Sequence, residues 1–434
     1  MNHPVQYSPS RRTALVLCGT GAHGAYHAGV LRALQEAGVK IDVVAGQGAG
    51  AAGAVLAAID GGSRLWEDGG IWKSPKPGRF YGWTPAMRIV RWCIGAIVAV
   101  AGLSLAVLAL AGAGPNSWKI AAVAGMVPVL AIAIVLVRAR LRAAPRRVSG
   151  SAWWSVAGAS FDPNPIVDAF SDAVWQLIRG AARDIRPPRD AGRRYAEVLA
   201  ENIGQPGFRE LMIVATDLDA RGDVVAALLR EPYRRDFIAP RPGRERRAEA
   251  LDLAGLGRDH ALDVMSAALT PPVACEPRTV TFTPDGYWRG ESHRLCERPG
   301  SVSRLFEELA GAGVSQLIVV TAVPVSSAPH QLRVPRLDVR SRLGEFITAA
   351  EAAALRDAMD HALLRFDSCY VIAPSHNPVG PFDFGGAYDE ASDRHHSIVE
   401  LMERAWEDAY HQFIEPVVGA SGEQIAGVTG AAPR

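Results

Sequence analysis

Five residues closing an apolar run, Gly46-Gln47-Gly48-Ala49-Gly50, have the spacing of the strand-to-helix turn on which G-x-S-x-G hydrolases mount their attacking serine. Here the apex is Gly48, which has no atom to attack with. A second glycine turn, Gly19-Thr20-Gly21-Ala22-His23-Gly24, lies upstream. Backbone N–H groups gathered in such turns, where helices begin, cradle a carboxylate, a phosphate or a carbonyl oxygen. The residues expected to line that cradle are Gly19, Thr20, Gly21, Ala22, Gly24, Gln47 and Ala49. Two glycine turns without a nucleophile predict binding in place of cleavage.

The upstream turn also matches G-x-G-x-x-G, with Asp42 about 20 residues further on, as in dinucleotide sites. Against it, Asp42 opens its strand, whereas the ribose-binding acid belongs at a strand's carboxyl end. Dinucleotide binding through Gly19, Gly21 and Gly24 is therefore the weaker alternative. His27 follows His23 at a metal-ligand spacing, yet no acidic partner is placed nearby, and helix packing accounts for it; neither metal nor cofactor is expected. The stretch YDEASDRHH, Tyr388 to His396, reads as an acid-rich helix start. Asp383-Phe384-Gly385 lacks every companion of a kinase motif.

The elements that must hold these turns follow from periodicity. Leu15, Val16 and Leu17 form a short buried strand, and after the first turn Val30, Leu31, Leu34 and Ala37 recur at helical spacing until Gly38. IDVVAG, the second glycine turn and AAGAVLAAIDGG repeat the order strand, turn, helix. Two such units predict an α/β fold with ligands at one sheet edge. Further helices are expected over Pro163–Gly180 and Val399–Ile414, and the basic stretch Arg234 to Ala250 reads as a loop leading into a helix, with an anionic membrane surface as a second use.

Two uncharged runs, Trp92 to Ala113 and Ile120 to Val137, flank a turn GPNSWK. Each approaches the roughly 20 residues that cross a hydrocarbon core, so hydropathy predicts a transmembrane hairpin over 88–147, with spans at about 92–113 and 118–137. Arginines crowd both outer flanks, which places the remainder, 1–87 and 148–434, on the cytoplasmic side of a bacterial inner membrane as a multi-pass protein. Arg11-Arg12 ahead of Cys18 is not a signal peptide, because its apolar run is only Ala14 to Leu17. Five scattered cysteines without C-x-x-C spacing suggest a reducing compartment. With 46 basic and 45 acidic residues, bulk charge gives no attraction for nucleic acid.

In order along the chain, LVLCGTGAHGAYHAGVLRALQEAG, IDVVAGQGAGAAGAVLAA, ELMIVATDLDARGDVV, DVMSAALTPPV, GYWRGESHRLCERP and VSQLIVVTAVP resemble the patatin-like phospholipases. That resemblance implies a three-layer α/β fold around a mainly parallel sheet, interrupted by the hairpin. It also implies a Ser-Asp dyad, the aspartate in a D-G-[GA] turn, and an oxyanion loop supplied by the first glycine turn. In this register His23 stands where the family has arginine or lysine, Gly48 at the vacated nucleophile position and Arg289-Gly290-Glu291 at the aspartate turn. Asp285-Gly286 offers a substitute carboxylate; Ser151, Ser155 or Ser266 would have to replace the serine from outside the elbow. An inward Arg289 would favour an anionic head group or a fatty-acid carboxylate. The expected function is a catalytically inactive pseudo-hydrolase that binds lipid or acyl ligands or acts as a scaffold, with membrane lipids and a membrane protein as expected partners. The alternative is an active phospholipase or lysophospholipase with a non-standard nucleophile.

Overall fold

The computed structural model describes residues 7–111, 126, 129–130, 133–134, 159–180, 188–239, 247–286, 288–324 and 338–419. Contacts divide the chain into two compact units, one of Met1–Phe80, Pro163–Pro272 and Pro277–Arg434, the other of Tyr81–Asp162 and Val273–Glu276.

The first unit carries a nine-stranded sheet: β1 (Thr13–Gly19), β2 (Val43–Gly48), β3 (Glu210–Asp217), β4 (Gly222–Leu228), β5 (Ala248–Asp252), β6 (Arg278–Thr281), β7 (Ser292–Cys296), β8 (Gln316–Thr321) and β9 (Ser368–Ile372). Its main order is β9-β8-β1-β2-β3-β4-β5. The pairs β8–β9, β1–β8, β1–β2, β2–β3 and β4–β5 are parallel, and β3–β4 is antiparallel. The result is an α/β fold around a mainly parallel sheet. Every residue of β1, β2, β3 and β8 is buried, as strands covered on both faces must be. Helices α1 (Gly24–Glu36), α2 (Ala49–Ala58), α3 (Asn164–Ile178), α4 (Pro188–Asn202), α5 (Ala261–Ala268), α6 (Val302–Gly311), α7 (Val339–Ala362) and α8 (Ile398–Ala409) supply the cover. One apolar cluster joins Val16, Ala45, Met212, Val225 and Val319 of the strands to Leu305 and Leu309 of α6 and to Leu355 and Ala358 of α7.

Two stretches fold differently from their sequence reading. The basic stretch leads into a strand, β5, in place of a helix; a short helix, Tyr233–Ile238, precedes it, and 240–246 lie outside the described residues. Tyr388 to His396 is not a helix start but most of a hairpin, β10 (Ala387–Asp389) and β11 (Arg394–His396), closed by Asp393 at φ 52°. Helix α8 begins only after it, with the Ser397 hydroxyl accepting from Glu400 N at 3.1 Å.

The second unit contains the helix Pro85–Ala111 and a two-residue pairing of Gly82–Trp83 with Phe161–Asp162. The membrane hairpin expected from hydropathy is not supported by the fold. Crossing requires roughly 20 residues of continuous apolar helix, and among the described residues no helix is long and apolar enough to cross a membrane. The first run does coil, but its helix carries Arg88 and Arg91 in the opening turns, and the second run lies largely outside the described residues. A multi-pass inner-membrane placement, with the flanking parts facing the cytoplasm, is therefore unsupported.

Strand β7 is what brings the site together. Strand β2 ends at Gly48, leaving the last residues of β3 without a neighbour on that side, and β7 takes the place in antiparallel sense, Cys296 opposite Thr216 and Leu295 opposite Asp217. His293, buried against Phe282 and Trp288, locks this pairing through Nδ1 to Asp217 Oδ2 at 2.5 Å. Burial alone would lower the His293 pKa, but hydrogen bonds to Asp217 and Glu291, with their charges, outweigh it and the net shift is upward. The stabilisation is then fully present below the unfolded histidine value of about 6.5 and is lost as pH rises through the higher folded value. His293→Gln is expected to cost more stability at about pH 6 than at about pH 9, measured by urea unfolding. An equal cost at both would remove the charge from the account.

Candidate functional site

The two glycine turns lie side by side because β1 and β2 run in register, Leu17 beside Gly46, Cys18 beside Gln47 and Gly19 beside Gly48. Gly48 caps α2 at φ 62°, ψ −134°, a conformation that side-chain-bearing residues rarely adopt. The sharp elbow is thus formed in full. What faces it is a carboxylate. A Cβ built on Gly48 would collide with Glu297 Oε1 and stand 2.6 Å from the Gly19 carbonyl oxygen. Glu297 is the residue after β7, so the strand that replaces β2 at the edge of β3 delivers its side chain head-on to the elbow.

Glu297 is 2% exposed, and its loop is fixed from two directions. Its amide donates to Thr270 O at 2.9 Å, and the neighbouring Arg298 donates through Nη2 to the buried Asp223 Oδ2 at 2.5 Å. The side chain meets Thr20, fully buried in the first glycine turn, whose hydroxyl contacts both Glu297 Oε1 and Glu351 Oε1, the latter at 2.6 Å. One hydroxyl hydrogen can be donated once. A second hydrogen bond at this hydroxyl requires a carboxyl O–H as its donor. The direction of the Glu297 pKa agrees: burial and then the charge of Glu351 push it well up, against a smaller lowering by Thr20. His23 lies on the other side of Glu351, Nδ1 to Oε2 at 3.6 Å. Among the described residues His23 Nδ1, Glu297 Oε2, Glu351 Oε2 and Gln47 Oε1 are buried without a hydrogen-bond partner.

The amides of the first glycine turn are partly taken. Ala22 N–H donates to Pro381 O at 2.8 Å, and Gly21, at φ 58°, is so close under that carbonyl that a Cβ would strike it. Asp383 shapes the Pro381 turn by accepting from Gly380 N at 2.9 Å, which gives the Asp-Phe-Gly stretch its structural use. Beyond His23 opens a cavity of about 460 Å³. Ala322, Val323, Ala352, Val379 and Phe382 contribute apolar wall, and Arg340 and Arg356 contribute positive charge. Arg356 has no ion-pair partner among the described residues.

The remaining sequence candidates lie apart. Arg289, at φ 46°, and Asp285 belong to the turn between β6 and β7, where Arg289 N donates to Gly286 O at 3.1 Å; the group against Gly48 is Glu297, eight residues beyond Arg289. Ser266 donates to its own helix at Leu262 O, 2.6 Å away, and Ser151 and Ser155 lie outside the described residues. Cys18 is beside Thr20 in the chain, but burial pushes its thiol far up, and a protonated thiol is a poor nucleophile. His27 bonds through Nε2 to Cys18 O at 2.9 Å, and burial lowers its pKa to about 4, so it donates as a neutral ring. No metal-holding group of His, Cys, Asp and Glu occurs among the described residues. Asp42 accepts from Thr13 N at 2.9 Å where β1 begins, at the opposite end of the strand from the glycine turns, which removes the carboxylate a dinucleotide would need. Sequence reasoning missed Glu297 and Glu351.

Residues 15–90, which contain both glycine turns and the elbow, match the family model of the patatin-like phospholipases. The match is confined to this segment, about one sixth of the chain. Among solved structures it is similar to VipD from Legionella pneumophila, at 13% identity and a TM-score of 0.32, over 95% of this chain and 68% of that one. No curated protein matches it. The patatin-like segment supplies β1, α1, β2 and α2, while Glu297 and Glu351 come from later in the sequence.

Proposed function

We propose that this patatin-like protein binds an anionic acyl ligand, such as a fatty acid or a lysolipid, and does not cleave it. The supporting observation is the filled elbow: the space a serine side chain would need is taken by Glu297 Oε1. Glu297 stands in this account where the family's aspartate would, one carbon longer and reaching into the vacated nucleophile space. The cavity beyond His23 falls within the range of about 300–1,000 Å³ usual for small-molecule sites, and its wall combines apolar side chains with Arg340 and Arg356. The acyl chain lies along the apolar wall, and the anionic end faces the arginines.

A second reading has one observation in its favour. The Thr20 hydroxyl has a carboxyl group on either side, which is the environment of an activated oxygen. Its full burial and the occupied Ala22 amide oppose it. Titration with dodecanoate, followed by intrinsic fluorescence, and treatment with a fluorophosphonate separate the two. Saturable dodecanoate binding is expected, weakened about tenfold in Arg356→Gln and abolished when Ala349→Trp fills the cavity. No fluorophosphonate adduct is expected. An adduct on Thr20, absent in Thr20→Val, would establish the hydrolase instead.

A further inference from the structure

A second cavity, of about 250 Å³, lies between α6 and α7 and has no part in the site above. Three guanidinium groups line it, from Arg247, Arg304 and Arg365. Two of them share a single acid: Glu307 takes Arg304 at 2.8 Å and Arg247 at 3.8 Å. Arg365 has no ion-pair partner among the described residues. The other acid in the wall is Asp357, whose backbone carbonyl accepts from His361 Nδ1 at 2.7 Å. Three arginines against two carboxylates leave one positive charge in excess in the lining. The floor is tight, since Gly300, at φ 93°, stands where a Cβ would come 2.7 Å from Ala354 Cβ.

We propose that this cavity binds a compact phosphate-bearing anion, either a free phosphate ester or the head group of a phospholipid. Planar guanidinium forks match tetrahedral phosphate oxygens with paired N–H donors, and a singly charged phosphate balances the one unmatched positive charge of the lining. The volume is several times the ~30 Å³ of a water molecule, enough for a phosphate and a short ester arm. Arg304 is also the inner anchor, 3.6 Å from Asp223, and is better left intact in a test. Arg247 and Arg365 are solvent-facing and replaceable.

The test uses the full chain at constant ionic strength balanced with chloride. Inorganic phosphate and glycerol 3-phosphate are titrated calorimetrically, and phosphatidylcholine vesicles with and without phosphatidate are assayed by flotation. Saturable binding of either free phosphate, weakened about tenfold or more in Arg365→Gln and in Arg247→Gln but not in Lys76→Gln, is the expected result. Binding only to phosphatidate vesicles, lost in Arg365→Gln, supports the same site with a lipid head group as its source. No saturable binding to any probe overturns the proposal, as does binding that both arginine variants retain in full. Thermal unfolding of each variant confirms that lost binding is not lost folding.

Discussion

Gly48→Ala is expected to destabilise the protein by about 2–4 kcal/mol, combining the cost of a left-handed backbone with that of overpacking. The new methyl group meets Glu297 Oε1 on one side and, at 2.6 Å, the Gly19 carbonyl on the other. A side chain can retreat more easily than a strand end. Shortening the acid should therefore recover part of the loss, and Glu297→Asp combined with Gly48→Ala is expected to show a favourable coupling of about 1 kcal/mol in a double-mutant cycle of urea unfolding. Gly48→Ser alone is expected to gain neither ester hydrolysis nor a fluorophosphonate adduct, because the carboxylate stands where its hydroxyl must go. A Gly48→Ala protein as stable as the parent would show that Glu297 does not fill the elbow.

The second large effect lies at the far end of the sheet. Arg12 and Glu210, 9% and 3% exposed, form a two-pronged pair at 2.7 and 2.8 Å. Arg12 also donates through Nε to Ala312 O at 3.1 Å and lies 3.6 Å over the Tyr233 ring. Glu210→Ala strands that guanidinium, and leaving a buried charge without its partner costs about 3–5 kcal/mol. The midpoint of urea unfolding should fall accordingly. A change below about 1 kcal/mol would place the pair with ordinary surface bridges.

Much of the architecture is visible in the residues because local chemistry demands it. Gly19, Gly21 and Gly48 take backbone angles that other residues avoid, and the apolar runs around them are long enough to mark β1 and β2. The hairpin from Tyr388 is less visible, since a helix start and a tight turn both favour Asp and Ser. Glu297 escaped because Arg289-Gly290-Glu291 imitates the spacing of an aspartate turn, while the acid that meets Gly48 follows a strand. The signal was present: Leu295 and Cys296 close a short strand, and the next residue emerges at the sheet edge. Glu351 has no local mark at all, being one acid in a 24-residue helix, singled out only by which face packs inward. The apolar runs after Trp92 misled for a different reason, because side-chain hydropathy is necessary for a span but does not by itself assemble one.

The bond from Ala22 N–H to Pro381 O bears on any molecule that would use the first glycine turn. An incoming carbonyl does not meet a waiting donor but a rival that the chain keeps permanently at hand, at an effective concentration no dissolved ester reaches. Occupation of that turn is consequently a displacement reaction, and its affinity depends on how readily the Pro381 peptide can swing aside.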